Sequence, residues 1–266
     1  MPDLSKDTVT PDKLVLGETA HDASGVQITG TLDTEAIRAE GIEAGKKSEY
    51  DAFWDAYQQN GKRTNYQRSF SGLGWTAQNF RPKYNMKPTD CSNMFAVSGM
   101  ENQDLRGLLD AAGVTLDTSE CMNFSYMFQY NAPTHIPMLD TRACNNLAFL
   151  SNNGGIDDVK FILRDDGSQQ VANMLYYNSN LKTLEIEGTI GQNGFDVKWS
   201  PLNKASLTSV VNALSSTTTG LTVTLRLAAV NTAFETTAGA ADGSTSEEWT
   251  ALIATKPNWT INLINS

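Results

Sequence analysis

Histidine is almost missing from this 266-residue chain: His21 and His135 are the only two. Histidine-based acid–base catalysis or zinc ligation would need partners that the chain hardly offers. Cysteine is nearly as scarce. Cys91, Cys121 and Cys144 are odd in number and form no CxxC pair, so no disulfide framework or metal site is expected. Each lies just before a recurring motif, which predicts small buried residues in a protein made in a reducing cytoplasm. No run approaches the roughly 18 apolar residues of a membrane span. The opening Met1–Asp7 lacks the basic and apolar regions of a secretory signal.

Positive charge is short as well. Twenty Lys and Arg stand against 30 Asp and Glu, a net charge of −10. A nucleic-acid binder presents a basic face to phosphates, and Lys46-Lys47 and Lys62-Arg63 are too brief for that, so neither nucleic acid nor an anionic membrane is an expected partner. Phosphate loops, nucleophile elbows and GxGxxG turns do not occur, and Asn152-Asn153-Gly154-Gly155 reads as a tight turn. Two acidic doublets, Asp157-Asp158 and Asp165-Asp166, could in principle act as glycosidase carboxylates or calcium ligands. The expected reading is that they end strands and keep turns solvated. No catalytic residue, metal or cofactor is therefore expected, and the chain does not read as an enzyme.

What the chain has instead is threonine and asparagine. Its 28 Thr and 22 Asn together equal all its charged residues. These residues favour strands, turns and hydrogen-bonding surfaces over long helices, the composition of a loop-rich extracellular or particle-borne protein.

A degenerate motif recurs four times in the middle of the chain: Ser92-Asn93-Met94-Phe95, Ser125-Tyr126-Met127-Phe128, Leu147-Ala148-Phe149-Leu150 and Ala172-Asn173-Met174-Leu175. Such a unit cannot bury its apolar face alone, so neighbouring copies are expected to stack. The spacing divides the chain into five parts. Residues 1–32 form a small extended and hairpin module, with Val9, Leu14, Leu16, Val26, Ile28 and Leu32 as anchoring positions. Residues 33–60 form a helical connector broken near Gly45–Ser48. Residues 61–90 form an aromatic cap through Tyr66, Phe70, Leu73, Trp75, Phe80 and Tyr84. Residues 91–190 carry the repeats, with an inserted helix from Asp104 to Ala112 and a strand at Leu181–Ile186. Residues 191–266 form an α/β C-terminal cap, with helices at Ser206–Leu214 (Ser206 as cap) and Thr245–Thr255 and strands at Leu221–Leu227 and Trp259–Leu263. The expected class is α+β, a short irregular solenoid between these ends.

Asn123-Phe124-Ser125-Tyr126-Met127-Phe128 followed by Leu181-Lys182-Thr183-Leu184-Glu185-Ile186 resembles the BspA-like degenerate leucine-rich repeats of bacterial surface and phage proteins. The stretches Ser206–Ser215 and Pro257–Ile261 look like the ending of such proteins in phages and prophages of gut Firmicutes. Val9–Ala20 with Gly30–Leu32 looks like a module of phage tail and fibre proteins. The resemblance implies a virion component (tail, baseplate or head fibre), built in the host cytoplasm. Residues 1–32 would contact other virion proteins, and the repeats would meet a host surface glycan or protein. A homo-oligomer, with a trimer favoured, could join through residues 33–60. Tyr126, Tyr130, Tyr176 and Tyr177 beside Asn131, Asn152 and Asn178 are the candidate ligand contacts, since flat rings and amides suit sugars. The rivals are a decoration or adaptor subunit and, further off, a glycan-degrading enzyme using the Asp doublets.

Overall fold

The computed structural model describes residues 19–21, 26–29, 36, 40, 45, 49, 51–130, 133–152, 155–235 and 246–265. The anchoring positions Val9, Leu14, Leu16 and Leu32 lie outside them. The chain divides into two compact units, 1–53 and 54–266. In the first, β1 (Thr19–His21) and β2 (Gln27–Thr29) pair antiparallel, with Ala20 opposite Ile28. Val26 is exposed and Ile28 half-buried. Residues 36, 40, 45 and 49 are helical, including Gly45, where a break was expected.

The second unit is mixed helix and strand, as its composition suggested, and its ladders are parallel. β3 (Leu139–Asp140), β5 (Asp158–Ile162) and β7 (Thr183–Glu187) form one sheet in the order β3-β5-β7. β4 (Ser151–Asn152) pairs with β6 (Leu175–Tyr176). β8 (Phe195–Val197), β9 (Leu221–Arg226) and β10 (Trp259–Ile264) form a third sheet with β9 central.

The recurring motif is a turn, and its chemistry repeats copy by copy. The first residue is Asn65, Asp90, Asn123 or Asn146, and its side-chain oxygen accepts from the backbone N–H two residues on, at 2.8 to 3.1 Å. This is the local bond that makes Asn and Asp turn formers. The second residue's carbonyl accepts from the fifth residue's N–H, as from Met94 to Cys91 and from Met127 to Phe124. The fourth residue takes a left-handed backbone: Arg68, Asn93, Tyr126, Phe149 and Asn173 all have φ between 53° and 57°. A turn of this kind turns the second, fifth and sixth side chains inward. Phe124, Met127 and Phe128 are accordingly fully buried, as are Cys91, Met94 and Phe95.

Consecutive copies are joined by backbone hydrogen bonds. Tyr66, Arg68 and Phe70 donate to Asp90, Ser92 and Met94; Cys91, Asn93 and Phe95 donate to Asn123, Ser125 and Met127; Tyr126 and Phe128 donate to Phe149 and Leu150. Every copy thus satisfies backbone groups of the one before, which would otherwise be buried without partners. Inside the stack the sixth-position rings lie face to face. Phe70 stacks on Phe95 at 5.1 Å, and Phe95 on Phe128 at 5.6 Å with planes 4° apart.

Two expectations are corrected here. Residues 61–90 are not a separate cap, because Asn65–Phe70 is itself a fifth copy of the motif, with Ser69-Phe70 in place of Met-Phe. Trp54, Tyr66, Phe70, Trp75 and Phe80 close around it, while Leu73 is exposed and Tyr84 only half-buried. The inserted helix α1 (Leu105–Ala112) is capped by Asp104, whose carboxylate accepts from Gly107, and ends at left-handed Gly113.

The second correction concerns the C-terminal region. Helix α2 (Lys204–Ala213) is capped by Asn203, and Ser206 does something else. The Ser206 and Ser209 hydroxyls accept from the Leu184 and Ile186 amides at 2.8 and 2.9 Å. Those amides belong to the edge strand β7, so α2 covers the edge and satisfies it at once. The strand expected over Leu221–Leu227 is present and ends one residue early. β9 stops at Arg226, and α3 (Leu227–Ala233) begins there with Leu227, Ala229 and Val230 buried. Helix α4 (Glu247–Ala254), capped by Ser246 and anchored by buried Trp249, leads to β10.

Candidate ligand-binding edge

Where the buried positions of the motif are scaffold, the left-handed fourth position faces outward, and so does a second left-handed residue four further on. That second position holds Gly72, Val97, Tyr130 and Tyr177, with φ of 70°, 50°, 49° and 56°. An L-residue there crowds its Cβ against the backbone, so the conformation is maintained by the surrounding ladder. Apart from Gly72, the residues at this position carry exposed side chains, as does Tyr126 at the fourth position. Val97 is 50% exposed, Tyr126 37%, Tyr130 44% and Tyr177 40%.

The Tyr126 and Tyr177 rings do not stand singly. Tyr126 stacks on Phe149, the equivalent residue of the next copy, at 5.9 Å with planes 21° apart. Tyr177 stacks on Trp199 at 4.6 Å and meets Tyr176 edge-on at 4.3 Å. A hydrogen bond donated to Tyr177 holds the Tyr176 phenol above its ordinary pKa. Lys198 lies 5.8 Å from the Tyr176 ring, and Asp196, 2.7 Å from its ammonium, keeps it firmly charged. Three of the four tyrosines expected as ligand contacts are therefore exposed, and the fourth, Tyr176, is half-buried against them.

The asparagines fare differently. Asn178 is fully buried: its Oδ1 accepts from the Ser151 hydroxyl at 3.0 Å, and its amide donates to the Ser151 and Tyr176 carbonyls. It is an internal brace and cannot reach a ligand. Asn131 and the side chain of Asn152 lie outside the described residues. Trp199 belongs to the edge but was not singled out from the sequence. Phe149 was expected at the buried position of Met94 and Met127; the third copy is shifted by one residue, so Leu150 takes the buried place and Phe149 stands at the left-handed position where the other copies carry Arg, Asn or Tyr.

On the outer face of the β3-β5-β7 sheet the Asp157-Asp158 doublet is not a solvated turn. Asp158 opens β5, and its carboxylate accepts from Arg106 of α1 and meets Nδ1 of His135. His135 forms a parallel bridge with Asp158. The salt-bridged Asp158 is thus a clasp between α1 and the sheet. Asp165-Asp166 is the solvated turn expected: Asp166 accepts from the Ser168 amide and hydroxyl at 2.9 and 2.8 Å, which lowers its pKa.

Among the described residues no three His, Cys, Asp or Glu side chains are placed to hold a metal, and no helix is long and apolar enough to cross a membrane. All three cysteines are buried thiols, and the Cys91 and Cys121 sulfurs lie 2.7 Å apart. Burial pushes the Cys91 thiol up, so it stays neutral. Comparison with protein-family models, curated proteins and solved structures gives no match.

Proposed function

We propose that the chain is a structural component of a phage virion, in the tail, the baseplate or a head fibre, and that its repeat region binds a host surface glycan or protein. In this reading the stacked turns are a short, irregular solenoid of the leucine-rich-repeat type. The observation that supports it best is the outward aromatic edge, in which the exposed rings of Tyr126 and Tyr177 stack on half-buried Phe149 and Trp199. Flat preorganised rings are what the C–H faces of sugars stack against, and rigid aromatic surfaces bind at low entropic cost. Residues 1–32 anchor the protein to other virion proteins, and residues 33–60 join three copies.

A reconstruction of the phage particle tests this reading. The expected density places residues 1–32 against a neighbouring virion protein, in three-fold copies, with the tyrosine edge facing solvent. Density that buries Tyr126, Tyr130 and Tyr177 against another virion protein would replace the receptor role with that of an adaptor.

A further inference from the structure

A second site has a chemistry opposite to that of the chain as a whole. Between the start of β7, the 201–204 turn and α3 opens a cleft of about 680 Å³, within the range of small-ligand pockets. Its floor is aliphatic, from Leu202, Ala229 and Ala233, and its charged lining is Lys182, Lys204 and Arg226. Among the described residues no carboxylate lines it, in a chain that carries ten more acids than bases.

Six cations elsewhere in this unit meet acids. Lys83, Lys87, Arg106, Arg142, Lys160 and Lys198 each contact a carboxylate. In the cleft Lys204 pairs with Glu248 at 2.5 Å, but both side chains are about half exposed, so water screens the pair. Lys182 forms no ion pair with a described residue. Lys182 and Lys204 beside an apolar floor raise the local potential, and desolvation by that floor strengthens each contact with an entering anion.

The walls are preorganised. The Asn203 backbone amide donates to the Lys182 carbonyl at 2.9 Å, and its side-chain amide donates to the Thr183 hydroxyl at 3.3 Å. Asn203 also caps α2. The turn that carries Lys204 is therefore tied to the strand that carries Lys182, and the two backbone segments keep their spacing without a ligand.

We propose that this cleft binds an organic anion, a carboxylate or phosphate group carried on a short aliphatic body, with the cations holding the charged group and Leu202, Ala229 and Ala233 holding the chain. The inference is independent of the virion reading. It is tested by titrating the ¹⁵N-labelled full chain with hexanoate, hexyl phosphate and neutral hexanol, following amide shifts at Thr183, Asn203, Lys204 and Arg226. At least one anion is expected to give saturable shifts there, bind about tenfold or more tightly than hexanol, and weaken as salt rises. The tighter anion identifies the group. The double variant Lys182→Gln, Lys204→Gln alters exposed side chains, so it should melt like the parent and lose about tenfold in affinity. The proposal is overturned if neither anion shifts these residues, if hexanol binds as well as the anions, or if the double variant binds unchanged.

Discussion

Replacing Phe128 with alanine strikes the fold at its most repeated contact. Phe128 is fully buried and lies parallel to Phe95 at 5.6 Å, and Phe95 stacks in turn on Phe70. A buried Phe→Ala change removes apolar transfer energy and leaves a cavity, together about 3–5 kcal/mol. The stacked geometry adds about 0.5–1.5 kcal/mol that belongs to the Phe95–Phe128 pair alone. Against a typical domain stability of roughly 5–15 kcal/mol, the single variant should be folded but clearly weakened. Urea unfolding followed by tryptophan fluorescence reads the change, since Trp54 and Trp75 pack within 6.1 Å of Phe70 at the start of the ring ladder. A double-mutant cycle with Phe95→Ala isolates the pair, because both residues share the contact. A loss under about 1 kcal/mol for Phe128→Ala, or a coupling of zero, would mean that the copies do not stack ring on ring and would sink the account of the core.

Other consequences follow from single positions. Gly188 has φ of 90°, and a Cβ there would come within 2.3 Å of the Leu163 carbonyl, so Gly188→Ala should cost about 2 kcal/mol or more by thermal melting. Substituting Val97, half-exposed at φ of 50°, with glycine should raise the melting temperature or leave it unchanged, since about 1–2 kcal/mol of left-handed strain is relieved against a smaller entropic cost. Lys256 is buried, its ammonium donating to the Asn212 and Leu214 carbonyls at the end of α2, and burial lowers its pKa. The unfolded state then holds the proton to higher pH than the folded state does, so stability should rise with pH between the depressed folded pKa and the unfolded value near 10.4. Lys256→Met should abolish that alkaline rise in urea titrations while costing about 1–3 kcal/mol at neutral pH through two carbonyls left unpaired.

Much of this core was legible in the sequence because its signals are local. The Met-Phe positions, the Asn or Asp that opens each turn, and the Asp104 cap announce themselves within a few residues. The fifth copy at Asn65–Phe70 was hidden because Ser69 replaces the methionine, although Tyr66 and Phe70 keep the spacing. What was not legible depends on long-range placement. Asp158 meets Arg106 from 52 residues away, and Ser206 was read as a helix cap when its hydroxyl satisfies β7 from 22 residues away. The candidate site divides in the same way. Tyrosines beside the motif could be picked out, but only the left-handed backbone shows why Tyr126, Tyr130 and Tyr177 point outward while Asn178 turns in. Trp199 lies outside every motif copy, and stacking on Tyr177 is what brings it to the edge.

The central claim, that the aromatic edge is a binding surface, is tested most directly by comparing host-cell binding of the parent with the variant Tyr126→Ala, Tyr130→Ala, Tyr177→Ala. These side chains are exposed, so the variant should fold with a similar melting temperature. Each ring is expected to contribute about 0.5–1.5 kcal/mol to a stacked ligand, so affinity for host cells or their isolated surface polysaccharide should fall by about a hundredfold. Equal binding by a folded triple variant would contradict the account.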